Sequence, residues 1–270
     1  MMHWFSATWW LVASLGAIVD ASGLLEVDLV FPLNETYAPT KWFPVVFGFQ
    51  NPQLAPLVDL GISFSIKDWD NSSNIIHWPA DLDWSNNTSD DPYFFYAYFP
   101  QFNTSGRWWL TWHVNWKSCS EQALSDGPGR GEITRNSTGW STMFTIEEGA
   151  AQADLVAATT NTSCPGEFGV PLNVTGQTLQ VPAGEQWDNG GDCAVVVSLP
   201  TPTPDPCRID ITPAIVESME ASWHARLCRA INRPDDCPQD DGNGAQQLLV
   251  IGASSALAVI SAVGFIFMHM

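Results

Sequence analysis

Basic side chains are scarce in this sequence. Its 270 residues include 10 Lys and Arg against 29 Asp and Glu. Asp20 is the only acid outside residues 22–243, and every Lys and Arg lies inside that range, so the acidic excess belongs to the middle of the chain. Proteins that bind nucleic acid need a basic surface to neutralise phosphates. We therefore expect no nucleic-acid partner.

Histidine is also scarce, and the local motifs of common enzymes are missing. The sequence contains no G-x-S-x-G elbow, no H-E-x-x-H pair and no phosphate-binding loop. Between the two ends the histidines are His77, His113 and His224, in three distant segments. A multi-histidine metal site would require them to converge. We expect no catalytic residues, no cofactor and no metal site.

The amino-terminal end lacks Lys and Arg. Residues 1–21 contain an apolar run that is too short to span a bilayer and is followed by Val19-Asp20-Ala21. This pattern predicts a secretory signal peptide that is cleaved after Ala21. The alternative is an uncleaved signal anchor, which would need a longer apolar run.

The carboxyl-terminal end lacks charge of either sign. Residues 248–270 are uncharged and long enough for a membrane-spanning helix. The small residues 242–245 precede them, within a polar spacer at 238–247, and no basic residue follows Arg233. Small residues before a spacer and an apolar tail are typical of a glycosylphosphatidylinositol signal, so we predict a lipid anchor on Asn243. A retained transmembrane helix is the alternative.

Cysteines and glycosylation triplets agree with export. Six cysteines indicate an oxidising compartment. Asn-x-Ser/Thr triplets begin at Asn34, Asn71, Asn86, Asn87, Asn103, Asn136, Asn161 and Asn173. Such triplets are acceptors for N-linked glycans in secreted proteins. We predict a cell-surface N-glycoprotein, although Asn and Ser are also ordinary turn residues at any one site.

Apolar runs of strand length, separated by Pro, Asn, Gly and Asp, recur through residues 22–148. This rhythm is typical of an antiparallel β-sandwich, and seven strands predict an immunoglobulin-like one. In the first strand, Glu26 and Asp28 alternate with apolar residues, which predicts one solvent-facing side. The predicted strands are residues 25–31, 45–50, 60–67, 74–78, 93–99, 107–116 and 140–146.

The remainder of the chain is predicted to be a smaller addition to this sandwich. Residues 149–199 read as a β extension packed on it, with short strands at 168–174, 178–181 and 194–199. Alternating prolines make residues 200–206 a stiff spacer. Residues 207–237 contain a helix that begins at Pro213, with Thr212 as its N-cap, and ends near Asn232.

The cysteines are predicted to pair within these segments. We expect Cys164 to bond Cys193 across the extension and Cys207 to bond Cys228 beside the helix. Cys119 and Cys237 are then paired by elimination, among the 15 pairings that six cysteines allow.

Tryptophans mixed with acids are the candidate binding residues. In residues 107–116, period two sends Trp109 to the face opposite the core, where it is an exposed platform or lies under a loop. Exposed tryptophan rings pack on the apolar face of a pyranose, and nearby Asp accepts hydrogen bonds from its hydroxyls. The predicted carbohydrate-binding residues are Trp69, Trp84, Trp109, Asp68, Asp70 and Asp83.

The same acids allow two other readings. Asp68, Asp70, Asp81 and Asp83 contain oxygen ligands suited to Ca²⁺, but they match no complete binding loop. Two carboxylates also suffice for glycoside hydrolysis. Because acids are abundant in this chain, solvated turn residues are the simpler interpretation.

Several phrases of the sequence resemble a known family. They are residues 43–52, the tryptophan-rich strand ending at Cys119, residues 154–159 and residues 200–207. In this order they are similar to a family of uncharacterised secreted fungal proteins that is classed as a domain of unknown function. The resemblance covers about residues 22–230 and implies export to a fungal cell surface. It implies no catalytic residues.

The sequence therefore favours a tethered, non-catalytic surface glycoprotein that touches cell-wall polysaccharide and reaches the membrane through its tail or lipid anchor. A secreted glycoside-active enzyme is the rival hypothesis. A purely structural or adhesive wall protein is the third hypothesis. Exposed tryptophans would favour polysaccharide binding, whereas buried tryptophans would favour this third hypothesis.

Overall fold

The computed structural model describes residues 23–71, 73–80, 82, 84, 90–120, 133–160, 169–181, 187, 191–199, 202–231 and 233–238. The predicted signal peptide, Asn243 and the apolar tail lie outside these residues. Within the described part of the chain, no helix is long and apolar enough to cross a membrane. The chain divides into two compact units, one ending at His224 and the other beginning at Ala225.

In the described residues, the first unit contains two sheets of five strands each. The strands of the first sheet are β1 (Gly23–Phe31), β3 (Phe43–Gln50), β6 (Tyr93–Phe99), β9 (Gly169–Gln180) and β10 (Asp192–Val197). Their order across the sheet is β10-β9-β1-β3-β6, and every neighbouring pair is antiparallel.

The second sheet has the order β2-β8-β7-β4-β5. Its strands are β2 (Thr36–Tyr37), β4 (Gly61–Asp68), β5 (Ile75–Pro79), β7 (Gly106–Cys119) and β8 (Ile133–Ile146). Strand β2 pairs with β8 in parallel, and the other pairs are antiparallel. The sheet is therefore mixed.

Aromatic side chains fill the space between the sheets. Phe47 of the first sheet contacts Phe64 and Trp112 of the second, with ring centroids 5.5 Å apart in both pairs. Phe43 stacks on Phe144 at 5.1 Å. Because aromatic rings bury large apolar areas, this contact between the two sheets is the main source of the stability of the fold.

The helices in the described part of the chain are short, with one exception. Helix α1 is Leu155–Thr159, and short 3-10 helices occupy Pro52–Val58 and Pro206–Arg208. Helix α2 is Pro213–Cys228. The Thr212 hydroxyl accepts a 3.4 Å hydrogen bond from the backbone N–H of Ile215, as expected for an N-cap. Within the first unit, Met219 is buried and Trp223 packs against Tyr98 at 5.5 Å.

The prediction of a mainly β chain is confirmed, whereas the immunoglobulin-like arrangement stays a prediction. Strand β6 has the predicted bounds, and β8 is twice as long as the stretch predicted from its apolar residues. The segment predicted as a separate β extension supplies β9 and β10, which belong to the first sheet. Its two short strands at 168–174 and 178–181 are one continuous strand, β9.

The prediction that one side of β1 faces solvent is wrong. Glu26 is 1% exposed and Asp28 is fully buried. Residues 202–211, here called the covering segment, pack over them: Asp205 donates its backbone N–H to Glu26, and the buried Ile209 packs on Gly48 of β3. The segment predicted as a spacer therefore covers part of the first sheet.

The predicted cysteine pairs are also wrong. Cys119 at the end of β7 bonds Cys193 in β10, and so joins the two sheets. Cys228 bonds Cys237 within the second unit. Cys207 is disulfide-bonded as well, whereas Cys164 lies outside the described residues. Spacing suggested local loops, but Cys119 and Cys193 meet because β10 contacts β7 across the sandwich.

Candidate functional site

Trp69 and Trp109 form an exposed stacked pair, here called the platform. Trp109 lies on β7, and Trp69 follows directly after β4, the strand paired with β7. The ring centroids are 5.3 Å apart and the planes are inclined by only 3°. The two side chains remain 44% and 37% exposed, respectively. The pairing of β4 with β7 thus brings together two of the predicted binding tryptophans.

Charged groups border the platform. The Arg107 guanidinium lies over the Trp69 ring, 5.7 Å from its centroid, and donates a 2.7 Å hydrogen bond to Asp70. Asp68 has a local role, because its Oδ1 accepts the backbone N–H groups of residues 70 and 71 at 2.9 and 3.1 Å. These bonds fix the turn that carries Trp69. The border therefore offers both hydrogen-bond donors and acceptors to a ligand on the platform.

The platform continues across the outer face of the second sheet. In the register of the strands, Trp109 lies opposite Lys67 on β4 and Met143 on β8, and Lys67 lies opposite Ile75 on β5. Ile75 is 41% exposed. Side chains directly opposite one another share a face of the sheet. Hence a row of partly apolar side chains spans four strands beside the two rings.

Trp84, the third predicted binding tryptophan, does not join the platform. Trp84 is 1% exposed, so its predicted role at an exposed surface is wrong. Its Nε1 donates a 2.8 Å hydrogen bond to the carbonyl of Leu60, and its ring packs against Phe49 and Tyr93. Asp81 and Asp83 lie outside the described residues.

Sequence reasoning missed a pair of buried carboxyl groups on β1. A Cβ placed on Gly169 would lie 2.8 Å from Asp28 Oδ1 and 3.0 Å from Glu26 Oε1, so both groups face the same point. Gln50 Nε2 donates a 2.9 Å hydrogen bond to Asp28 Oδ2 and another of 2.9 Å to the Asp205 carbonyl. The pair is therefore tied to the covering segment.

Burial dominates the protonation of this pair. Burial, and then the neighbouring Glu26 carboxylate, raise the pKa of Asp28 to about 9. Burial also raises the pKa of Glu26. Asp28 Oδ1 is buried and accepts no hydrogen bond. A proton on Asp28 that is donated toward Glu26 accounts for the raised pKa of Asp28 and for the Oδ1 atom that accepts no hydrogen bond. Because the pair is closed to solvent, it offers no access to a substrate.

A groove of about 620 Å³ opens between the second sheet and the edge of the first. Trp116 of β7 and Asn136, Thr138 and Trp140 of β8 line one wall. Trp140 is 45% exposed. The opposite wall consists of residues 169–173, residues 196–198, Pro202 and Pro204. No predicted binding tryptophan lies in this groove.

A larger cavity, of about 920 Å³, lies between helix α2 and the region of β2 and α1. Its lining includes Tyr98, whose hydroxyl is buried without a hydrogen bond. Burial raises the pKa of Tyr98. Glu35, Glu217 and Glu220 also line it, so it is an acidic cavity.

The comparison with known families gives one assignment. The family described as "Domain of unknown function (DUF7136)" matches residues 20–237. The chain belongs to the DUF7136 family. No curated protein and no solved structure matches it. The resemblance to a domain of unknown function is thus confirmed, while the fungal source and export stay predictions.

The DUF7136 match includes both sheets, the platform, the carboxyl pair and the groove. It also includes all eight glycosylation triplets. Asn34, Asn71, Asn103 and Asn136 are exposed and Asn173 is half-buried, whereas Asn86, Asn87 and Asn161 lie outside the described residues. The family description carries no activity, so the function has to be argued from the geometry of this DUF7136 chain.

Proposed function

We propose that this protein is a non-catalytic, N-glycosylated cell-surface protein that binds wall polysaccharide through the Trp69–Trp109 platform. The observation that carries the proposal is the parallel stacking of two tryptophans that each keep more than a third of their surface exposed. Exposed apolar patches of this kind mark interaction sites.

The chemistry of the platform fits a sugar ligand. Stacking covers one face of each ring and Arg107 lies over Trp69, so the apolar surface offered to the C–H groups of a pyranose is the part of the pair that stays exposed. An indole N–H at a ring edge can also donate a hydrogen bond. Arg107 and Lys67 are donors beside the rings, and Asp70 is an acceptor. Sugar hydroxyls need both types of partner. A polysaccharide also supplies many repeating units, so weak individual contacts add up along the chain.

Two of the four acids predicted for the rival enzyme, Asp68 and Asp70, lie in the described residues, and both have structural partners. Asp68 holds the turn after β4, and Asp70 is paired with Arg107. A catalytic pair would instead place two carboxyl groups on opposite sides of a scissile bond. These contacts favour binding over hydrolysis at this face.

We also propose that the chain is exported by residues 1–21 and tethered through Asn243, with a retained transmembrane helix at 248–270 as the other form of tether. Within this proposal the sheets form an immunoglobulin-like sandwich, and the glycans lie on its surface. The acidic excess supports a soluble exposed domain, because net charge far from zero opposes association.

Sedimentation with insoluble β-glucan and with chitin tests the proposal. The full chain is produced in a eukaryotic secretory host, and the wild type is compared with Trp69→Ala and Trp109→Ala. We expect each substitution to weaken binding about tenfold, since a central tryptophan is commonly worth more than about 1 kcal/mol and 1.4 kcal/mol is tenfold.

Trp140→Ala is the matched control, because Trp140 is as exposed as Trp69 but lies in the groove. Circular dichroism of all three variants checks that each one folds. If the wild type binds neither polymer, the proposal is wrong and a structural or adhesive role remains. If Trp140→Ala loses as much binding as Trp69→Ala, the platform is not the site.

A further inference from the structure

The groove between the sheets has a glycosylation acceptor built into its wall. Residues 136–138 read Asn-Ser-Thr, so Asn136 begins a triplet whose hydroxyl belongs to Thr138. Both residues line the groove, together with Trp116 and Trp140. The side chains of 136, 138 and 140 point to one face of β8, because successive residues of a strand alternate. A glycan on Asn136 would thus leave the chain inside the groove.

Trp116 is the direct cross-strand neighbour of Asn136 in the register of β7 and β8. Residues so paired have their Cβ atoms about 4.5–5.5 Å apart, which is within reach of the first sugar attached to the asparagine. Trp116 is half-buried and Asn136 is exposed. The ring face can therefore receive the apolar side of an N-acetylglucosamine. On the same wall Thr138 carries a hydroxyl, and the Thr134 hydroxyl, which donates to the Ser118 carbonyl, can still accept a hydrogen bond.

We propose that an N-linked glycan on Asn136 occupies this groove, with its first sugars packed on Trp116. The inference rests on the glycosylation contained in the proposed function, but it is independent of polysaccharide binding at the platform. The groove volume of about 620 Å³ lies within the range of small-ligand sites, which is about 300–1,000 Å³.

Tethering favours this occupant over a free saccharide. A group that is covalently held beside its site acts at an effective concentration of the order of millimolar or more. A free sugar in solution would have to compete with it. The chain's own glycan then covers apolar surface at the edge of the sandwich. Strand β2 pairs with β8 only at Thr145 and Ile146, so among the described residues no strand lies beside β8 at Asn136 on that edge.

Glycopeptide mass spectrometry of the secreted full chain gives the first test. We expect Asn136 to be occupied. The folded protein is then treated with an endoglycosidase that cuts between the first two sugars, and release at Asn136 is compared with release at Asn103. Asn103 is an exposed acceptor in a turn and serves as the internal control. We expect release at Asn136 to be at least about tenfold slower in the folded protein, and equal after denaturation.

Paired substitutions separate loss of the glycan from loss of a side chain. Thr138→Val removes the triplet and keeps Asn136, whereas Thr138→Ser retains the triplet. We expect only Thr138→Val to lower Tm. A loss of about 1 kcal/mol of glycan contacts corresponds to about 2–4 °C for a chain of this length. Trp116→Leu should lower Tm in glycosylated protein and have less effect when combined with Thr138→Val.

Three outcomes would overturn the inference. The first is an unoccupied Asn136, and the second is release at Asn136 as fast as at Asn103. The third is a gain of soluble oligosaccharide binding in Thr138→Val at no cost in Tm, which would make the groove a site for an external ligand. None of these outcomes bears on the platform, whose test uses Trp69→Ala and Trp109→Ala.

Discussion

The outer faces of the two sheets differ in what lies over them. On the second sheet, Trp109 and Ile75 are partly exposed to solvent, and Trp109 stacks on Trp69. On the first sheet, Glu26 and Asp28 occupy the corresponding outward positions of β1 and are buried under the covering segment. Strand β7, which carries Trp109, and strand β1 both show side chains that alternate between the core and the opposite face. Alternation therefore identifies the side that faces the core, but it does not reveal whether the other side is covered.

The difference also separates two uses of polar groups. Around the platform, charged groups are hydrated and can exchange water for a ligand at small cost. On β1, carboxyl groups are removed from water, so their protonation is tied to the folded state. We expect substitutions on the covered face to change stability and substitutions on the open face to change binding.

The largest expected effect concerns pH and the covered face. The pKa of Asp28 is raised from 3.8 to about 9, so the folded chain keeps a proton that the unfolded chain releases above about pH 4. The contribution of this group to the free energy of unfolding is thus fully present below pH 4 and is lost as the pH rises toward 9. The loss is at most about 1.4 kcal/mol per pH unit.

Asp28→Asn should remove this dependence, because the amide imitates the protonated acid: its oxygen can accept from Gln50 and its NH₂ can donate to Glu26. Urea unfolding between pH 4 and pH 9 measures the difference between variant and wild type. We expect the advantage of the variant to grow with pH. Asp192→Asn, at an exposed position of β10, is the control. Parallel pH profiles for wild type and Asp28→Asn would show that the pair does not hold the proton.

A second effect comes from the close contact of the covering segment with β9. A Cβ on Gly169 would lie 2.6 Å from Cβ of Pro204 and 2.8 Å from Asp28 Oδ1. The proline ring cannot rotate away, so Gly169→Ala should lower the free energy of unfolding by about 1–3 kcal/mol.

Gly61→Ala is the matched control for that substitution. Gly61 also begins a strand, and nothing lies within 4 Å of an added Cβ there. We expect it to be neutral or to stabilise by less than about 1 kcal/mol. Denaturant unfolding compares the two, and equal changes would mean that the covering segment moves freely.

The smallest expected effect is at the open face. The Arg107–Asp70 pair is 2.7 Å long, but its side chains are 51% and 65% exposed. Arg107→Gln should therefore lower the free energy of unfolding by less than about 1 kcal/mol, and high salt should reduce the difference further. A loss larger than that of Gly169→Ala would contradict the comparison of the two faces.

The fold was predictable where a local sequence pattern is enough to determine the structure. Period two in β7 correctly placed Trp109 on the face opposite the core, in which Trp108, Leu110 and Trp112 are buried, because strand geometry alone fixes that choice. The aromatic run of β6 was bounded correctly as well. The cysteine pairs were not predictable, since spacing does not tell which strands of two sheets come together.

The site was predictable only in part for the same reason. Trp69 meets Trp109 because β4 pairs with β7, and no local pattern encodes that pairing. Trp84 resembles a loop residue in sequence, yet Leu60 offers its indole a buried acceptor. One feature of the sequence is related to the carboxyl pair. Gly48 and Gly169 lie opposite Asp28 on the two neighbouring strands and leave room for the covering segment. That feature becomes readable only when the strand order is known.

The bond between Cys119 and Cys193 has a mechanical consequence within the proposal that the chain is tethered by its carboxyl end. Strand β10 is the last strand before the covering segment, and it lies at the edge of its sheet. A pulling force on an edge strand ordinarily breaks its hydrogen bonds one after another, as a zipper opens. The covalent link passes tension from β10 into β7, an inner strand of the other sheet that is bonded along both sides. If the proposed tether transmits a pulling force, that force would have to shear both sheets together.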